Sequence, residues 1–479
     1  MDTKQLRQKI LDLAIRGKLV PQDPNDEPAS VLLERVKAEK ERLIAEGKIK
    51  RSKKSAASSD KPHYADWDLP SGWEWCVVDD FAYVAAGSTP SKDAFVETGI
   101  PYIKMYNLRN QQIDFDFRPQ YIKEDVHNGK LKRSQTEIGD LIMNIVGPPL
   151  GKLAIIPDSL PQSNFNQAAV LIRPLLHKKI IVKYLFYYLS QMSEINSIST
   201  KGSAGQVNIS LTQSQNMRIA LPPLQEQQRI VNEIEHLWKC LDHVDEEARN
   251  LNNAVERIKT KLLELAIMGK LVAQDPADEP AVDLLKRLNP NAVVSADTSH
   301  YKFDTPNNWI ISQLGSLFNH NTGKALNRSN QEGRMLDYIT TSNLYWDRFE
   351  LNNLKQMPFK ESEIDKCTVI KGDLLVCEGG DVGRAAIWNY DYSICIQNHI
   401  HRLRPIDNHL VFPRFYYYCF LLYKQQNLIG GKGIGIQGLS SNQLHKVVFP
   451  LPPLNEQKRI AAKVDELFAV IDQIQQSLE

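Results

Sequence analysis

Apolar residues recur at Ile230, Ile234, Leu237, Leu241, Val244, Ala248, Leu251, Val255, Ile258, Leu262 and Leu265, in steps that alternate four and three. That is the heptad seam of a coiled coil. The run follows Leu221-Pro222-Pro223-Leu224, whose prolines stop an extended segment and suit a helix start. The pattern predicts one helix from Leu224 to about Met268, on the order of 65 Å long at 1.5 Å per residue. The same phase resumes after a second such start at Leu451, through Ile460, Val464, Leu467, Ile471, Ile474 and Leu478. Its missing remainder sits at the other terminus as Leu6, Ile10 and Leu13. The two ends of the chain therefore rebuild, in two pieces, the helix that the middle makes in one. Two such equivalents can pair antiparallel about a pseudo-twofold axis, as a ruler with one globular head at each end. Core helices of an ordinary bundle are the plain alternative, and the length and repetition of the register argue against it.

The words around these helices are duplicated. LPPLQEQQRI at Leu221 returns as LPPLNEQKRI at Leu451, and KILDLAIRGKLVPQDPNDEPASVLLERV at Lys9 returns without a gap as KLLELAIMGKLVAQDPADEPAVDLLKRL at Lys261. Between them the likeness is fainter: LPSGWEW with TPNNWII, PYIKMYNL with DYITTSNL, GDLIMN at Gly139 with GDLLVC at Gly372, VKYLFYYL with FPRFYYYC. The chain reads as a tandem duplication with strict ends and drifted middles. The expected organisation is an N-terminal helical region at 1–47 completing the second rod helix, a head at 62–222, a central helical region at 223–288, a head at 300–452 and a C-terminal helix at 453–479. Each head mixes short β-rich runs, Gly/Pro/Asn turns and one aromatic helix, an α+β pattern. The stretches Gly47–His63, which is basic, and Asn289–His300 read as linkers.

Composition narrows the class without naming it. A hydrophobic content of 42% with 24% charged residues is that of a soluble globular protein, and 479 residues allow about three domains. No apolar run reaches membrane-spanning length and the start, MDTKQLRQKI, is not signal-like, so a cytoplasmic protein is expected. The six cysteines form no C-x-x-C pair and read as reduced thiols. Net charge, +1, neither demands nor excludes a polyanionic partner. Catalytic motifs fail on inspection. GPPLGK at Gly147 lacks the spacing and Ser/Thr of a phosphate loop, and GIGIQG at Gly433 follows an aromatic helix rather than a strand. His399 and His401 alternate on a strand, a weak basis for a metal, and no metal site or active site is expected.

The paired LPPL-x-EQ-x-RI helix starts, the repeated LAI-x-GKLV-x-QDP-x-DEPA segments and the two dissimilar heads resemble the DNA-specificity subunit of type I restriction–modification enzymes. The resemblance covers essentially the whole chain. It implies a non-catalytic chain in which each head reads one half of a bipartite double-stranded DNA target and the helices set the spacer. It also implies two docked methyltransferase subunits carrying S-adenosylmethionine, and restriction/motor subunits using ATP and Mg. Because the heads differ, an asymmetric target follows. A coiled-coil adaptor that binds proteins through both heads is the rival reading, and salt-sensitive, sequence-dependent duplex binding separates the two.

Comparing the heads sorts candidate DNA contacts. Matched bases at Lys92 with Arg328, Lys152 with Arg384 and Lys201 with Lys432 suggest a shared grip on phosphate. Unlike pairs, Lys104 with Thr340 and Arg109 with Tyr345, suggest base reading. Asn107 and Asn343 are alike and follow a strand, as either turn formers or polar contacts.

Overall fold

The computed structural model describes residues 2–51, 67–147, 150–195, 208–292, 303–326, 332–429 and 439–478. The chain divides into two compact units, Met1–Glu247 and Ala248–Glu479, so the boundary falls inside the central helix. That helix, Leu224–Ile267, is continuous over 44 residues.

Within the first unit, the N-terminal helix Thr3–Ile15 lies antiparallel to the first half of the central helix. Thr3 donates to Asp245 at 2.8 Å and Arg7 pairs with Asp242 at 2.9 Å. Within the second unit, the C-terminal helix Leu454–Leu478 lies antiparallel to the second half. There Lys259 pairs with Asp472 at 2.6 Å and Gln475 donates to Asn252 at 2.6 Å. Each terminal helix is thus paired with the half of the central helix that lies in its own unit.

The strict heptad seam holds only in part. Ile230, Ile234, Leu241, Val255, Ile460 and Val464 are buried, and Leu237, Leu251, Leu467 and Ile471 are half-buried. Val244, Ile258 and Ile474 are instead 38%, 51% and 53% exposed, whereas Val231, Leu263, Ala266 and Ile267, off the strict register, are buried. The cause is the partner. Near its ends the central helix packs into a head core as well as against a helix, so its buried face follows the 3.6-residue period rather than 3.5.

Each head carries the same four-stranded antiparallel sheet. In the first the order is Ala82–Ala86, Ala169–Pro174, Leu141–Asn144, Leu153–Ile155; in the second it is Phe318–Thr322, Ile400–Pro405, Leu374–Cys377, Ala385–Ile387. An aromatic helix, Lys178–Ile195 or Pro413–Gln425, packs on it, and rings such as Tyr184, Tyr188, Tyr416 and Phe420 lie in the core. An ion pair braces each sheet: Asp140 with Arg173 at 2.6 Å, and Asp373 with Arg404 at 2.7 Å. The second sheets differ. The first head orders Asn164–Phe165, Ile100–Ile103, Tyr121–Ile122 and Phe95–Val96; the second orders Lys355–Phe359, Arg334–Ile339, Ile394–Ile396 and Thr368–Val369.

The duplicated words meet at one knot per unit. Glu226, 1% exposed, accepts from the indole of Trp73 at 3.0 Å and from Gln22 at 3.2 Å. Glu456, fully buried, accepts from Trp309 at 2.9 Å and from Gln274. Burial pushes both carboxyls above the usual range. Arg229 pairs with Asp26 at 2.6 Å and Arg459 with Asp278 at 2.7 Å. Gly17 and Gly269 each turn with φ of 64°, and a Cβ there would stand 2.4 Å from Pro70 or 2.5 Å from Pro306. The knot locks the helix start, the QDP segment and one tryptophan of each head, Trp73 or Trp309, together.

Candidate nucleic-acid interface

The matched loops of the two heads share the same turn. The backbone N–H of Lys104 donates to the Asn107 side chain at 2.9 Å, and that of Thr340 to Asn343 at 2.9 Å. Asn107 then donates to the carbonyls of Asp114 and Phe117, as Asn343 does to that of Glu350. Both asparagines therefore form the turn. Asn107 is 1% exposed and its amide is spent there. Thr340, also buried, spends its hydroxyl on Ser342 at 2.7 Å and Asn343 at 2.8 Å. Sequence comparison matched these three positions correctly, but it had no means of showing that their polar atoms are occupied within the loop.

After each asparagine comes a short hairpin. Leu108–Arg109 pairs with Gln112–Ile113, placing Arg109 opposite Gln112; Leu344–Tyr345 pairs with Arg348–Phe349, placing Tyr345 opposite Arg348. In the first head the tip is exposed from Arg109 to Gln112, with Asn110 and Gln111 in the left-handed region. The Arg109 guanidinium stacks 4.1 Å from the Phe117 ring and lies 3.5 Å from Asp114, which directs it. A groove of about 470 Å³ runs beside this tip, lined among others by Arg109, Gln111, Leu150, Lys152 and Ser190. Arg109 and Lys152, separate in the sequence, thus share one groove. Lys104 is half-buried, its ammonium 5.5 Å from the Phe95 ring, and Lys92 is exposed on the turn Lys92–Ala94.

The second head uses the same frame differently. Its tip is tied down: Arg414 bridges Asp347 and Asp465, and Trp346 packs on Tyr417. Tyr345 lies under Arg348 at 4.7 Å and Arg384 at 5.3 Å. Lys152 and Arg384 are true counterparts, since the carbonyls of both accept from the preceding strand, from Asn144 and Cys377, at 2.8 Å. Their surroundings differ. Lys152 is exposed, whereas Arg384 is half-buried, donates to the Thr341 carbonyl at 2.7 Å and lies 3.9 Å from Asp381. Lys201, Arg328 and Lys432 lie outside the described residues. Sequence reading passed over Gln112 and Arg348, and the signal available was their position opposite Arg109 and Tyr345 across a two-residue turn.

Among the described residues, no three His, Cys, Asp or Glu side chains are grouped to hold a metal, and no helix is long and apolar enough to cross a membrane. A frame repeated bond by bond under loops that differ in side chain defines a duplicated recognition protein. A family model described as the type I restriction modification DNA specificity domain matches residues 70–256 and again 306–479, and the chain belongs to that family. It is similar to the specificity subunit of the type I restriction enzyme EcoAI of Escherichia coli, at 26% identity over 98% of this chain and 90% of that one. To the EcoEI specificity subunit of the same organism it is 25% identical, over 99% of this chain and 91% of the other. A solved chain described under the complex assembly and conformational transition of the type I R-M system shares the fold, with a TM-score of 0.56 and 19% identity over 86% of this chain and 94% of that chain. The protein is a specificity subunit of a type I restriction–modification system, the non-catalytic member that works with DNA and partner subunits.

Proposed function

We propose that each head reads one half of a bipartite, asymmetric duplex sequence, and that the helical segments set the spacer and dock two methyltransferase subunits. S-adenosylmethionine belongs to those subunits, and ATP and Mg to the restriction/motor subunits that join them; the complex works in the cytoplasm. The observation that carries the reading is the pair of equivalent hairpins with unlike faces, Arg109 beside Gln112 and Tyr345 beside Arg348. Arginine and glutamine are the side chains suited to guanine and adenine edges in the major groove. Lys92 and Lys152, both exposed, and Arg328 serve the phosphates.

The test is selection of bound duplexes from a library with random half-sites and spacers, with the methyltransferase present. Arg109→Ala is expected to relax preference in one half-site only; a change in both halves overturns the division into two readers. Inserting four residues near Asn250 adds about 6 Å to the helix and turns it by about 40°. At about 3.4 Å per base pair, the preferred spacer lengthens by one or two pairs while both half-sites keep their bases. An unchanged spacer makes the helix a docking platform only.

A further inference from the structure

The first head carries a basic loop that the second lacks. Gly139 lies fifteen positions after the start of the helix Glu124–Asn128, whereas Gly372 lies eleven positions after the start of Glu361–Cys367. The second head passes from its helix directly into strand Thr368–Val369. The first interposes Gly129 to Gln135, a stretch with three cations, Lys130, Lys132 and Arg133, and no acid. All three are exposed, as are Lys123 and Lys92 nearby. The backbone N–H of Lys123 donates to the Ala94 carbonyl at 3.0 Å, which places Lys123 beside the Lys92 turn.

Buried polar groups hold this loop from beneath. The ring of His127, 3% exposed, lies between Asn164 and Gln162, with its Nε2 3.2 Å from the latter. Asn164, fully buried, donates to the Leu131 carbonyl at 3.0 Å and to the Ser134 hydroxyl at 3.1 Å. Gln135 donates to the His127 carbonyl at 3.1 Å, and Arg173 to the Gln135 carbonyl at 3.0 Å. Leu131 is buried between the two lysines. Polar side chains are costly to bury unless each is bonded, and a satisfied network of this kind makes a segment rigid. A charged loop that served only solubility would need no such anchoring. Cations fixed in place before contact lose less freedom on binding than mobile ones.

We infer that the loop Gly129–Ser134, which has no counterpart among the described residues of the second head, forms with Lys92 and Lys123 a preorganised grip on the sugar-phosphate backbone of duplex DNA at the first half-site. It rests on the DNA-reading function proposed above and assigns the first head the larger electrostatic share. The loop positions the duplex against the Arg109 hairpin without reading sequence.

The test uses the full chain with its methyltransferase partner and a duplex bearing the selected site. Lys130→Ala with Lys132→Ala is expected to lower the slope of log affinity against log salt by about two, at about 0.9 per phosphate. The ratio of affinities at 50 and 200 mM salt then shrinks roughly tenfold. Base preference stays the same in both half-sites, and Lys130→Arg with Lys132→Arg restores the slope. A steep wild-type slope that survives the alanine pair overturns the grip but leaves DNA reading intact. Salt-insensitive wild-type binding, or no duplex binding, overturns both.

Discussion

The knot at Glu226 and the knot at Glu456 repeat each other bond for bond, whereas the hairpin tips at Asn110 and Asp347 share only their backbone. Both pairs descend from one duplicated unit, so the difference separates two constraints. At the knot a tryptophan, a glutamine, a glutamate, an arginine and an aspartate must all fit at once, and changing one leaves another buried and unpaired. At the tips only the turn asparagine is held in the same way in both heads; the residues beyond it have diverged, exposed in the first head and tied to Arg414 and Tyr417 in the second. What is repeated is frame; what has drifted is the side chains of the tips.

The comparison breaks most readily at the braces under the sheets. Asp373 is 1% exposed and, among the described residues, its ion pair is with Arg404; Asp140 has Arg173 and also Lys178 at 2.7 Å. Arg404→Ala leaves a buried carboxylate uncompensated and is expected to cost about 3–5 kcal/mol. Arg173→Ala costs less, because Lys178 remains. Denaturant unfolding of the two variants checks this, and equal losses would mean that Lys178 does not compensate. At the knots the expectation is reversed. Glu226→Ala and Glu456→Ala each strip the acceptor from an indole and an amide, and each costs about 1–3 kcal/mol per donor left unpaired. The two losses should agree closely, and a knot that tolerates the change while the other does not would show that the shared words no longer do the same work.

These contrasts explain how much was legible in the chain. The antiparallel terminal helices were legible, because Leu6 to Leu13 and Ile460 to Ile474 keep one period over many residues. The knots announced themselves as repeated words but not as contacts, since Gln22 meets Glu226 across 204 positions and no local pattern encodes such a partner. The exposure of Val244 and Ile258 was not legible, because a heptad states which face is apolar, not what covers it. Asn107 and Thr340 could be aligned with their counterparts, yet which polar atoms are spent inside a loop depends on carbonyls several residues away. Lys152 and Arg109 came together only through the fold. The basic loop had a signal, KLKR after Gly129 with no equivalent in the second half, but a cation run alone does not show that buried groups anchor it.

The smallest expected effect lies where the second head replaces apolar residues with histidines. Sheet register sets His320 opposite Leu403, where the first head has Val84 opposite Ile172, and it sets His401 where the first head has Val170. His445 follows the Ser440 and Gln443 cap as Gln215 follows Ser210 and Gln213. The three rings form a chain. His401 Nε2 meets the Leu439 carbonyl and must donate, so its Nδ1 accepts from His320 Nε2 at 2.8 Å, and His320 Nδ1 accepts from His445 Nε2 at 2.9 Å. Every proton points the same way along a neutral chain, and adding one to His320 or His401 sets N–H against N–H. Burial, then His401, His445 and Arg402, accordingly depress His320 to about 3. A group depressed on folding takes its proton in the unfolded chain first, near pH 6.5. Its contribution is therefore complete above that pH and is lost progressively as pH falls toward about 3. His320→Val, which installs the first head's residue, removes this dependence. Between pH 7.5 and 5 the unfolding midpoint of the wild type is expected to fall relative to that of the variant as the solution is acidified. A gap that stays constant with pH would mean that the chain of rings accepts a proton without cost, and that the histidines differ from Val84 and Val170 in shape alone.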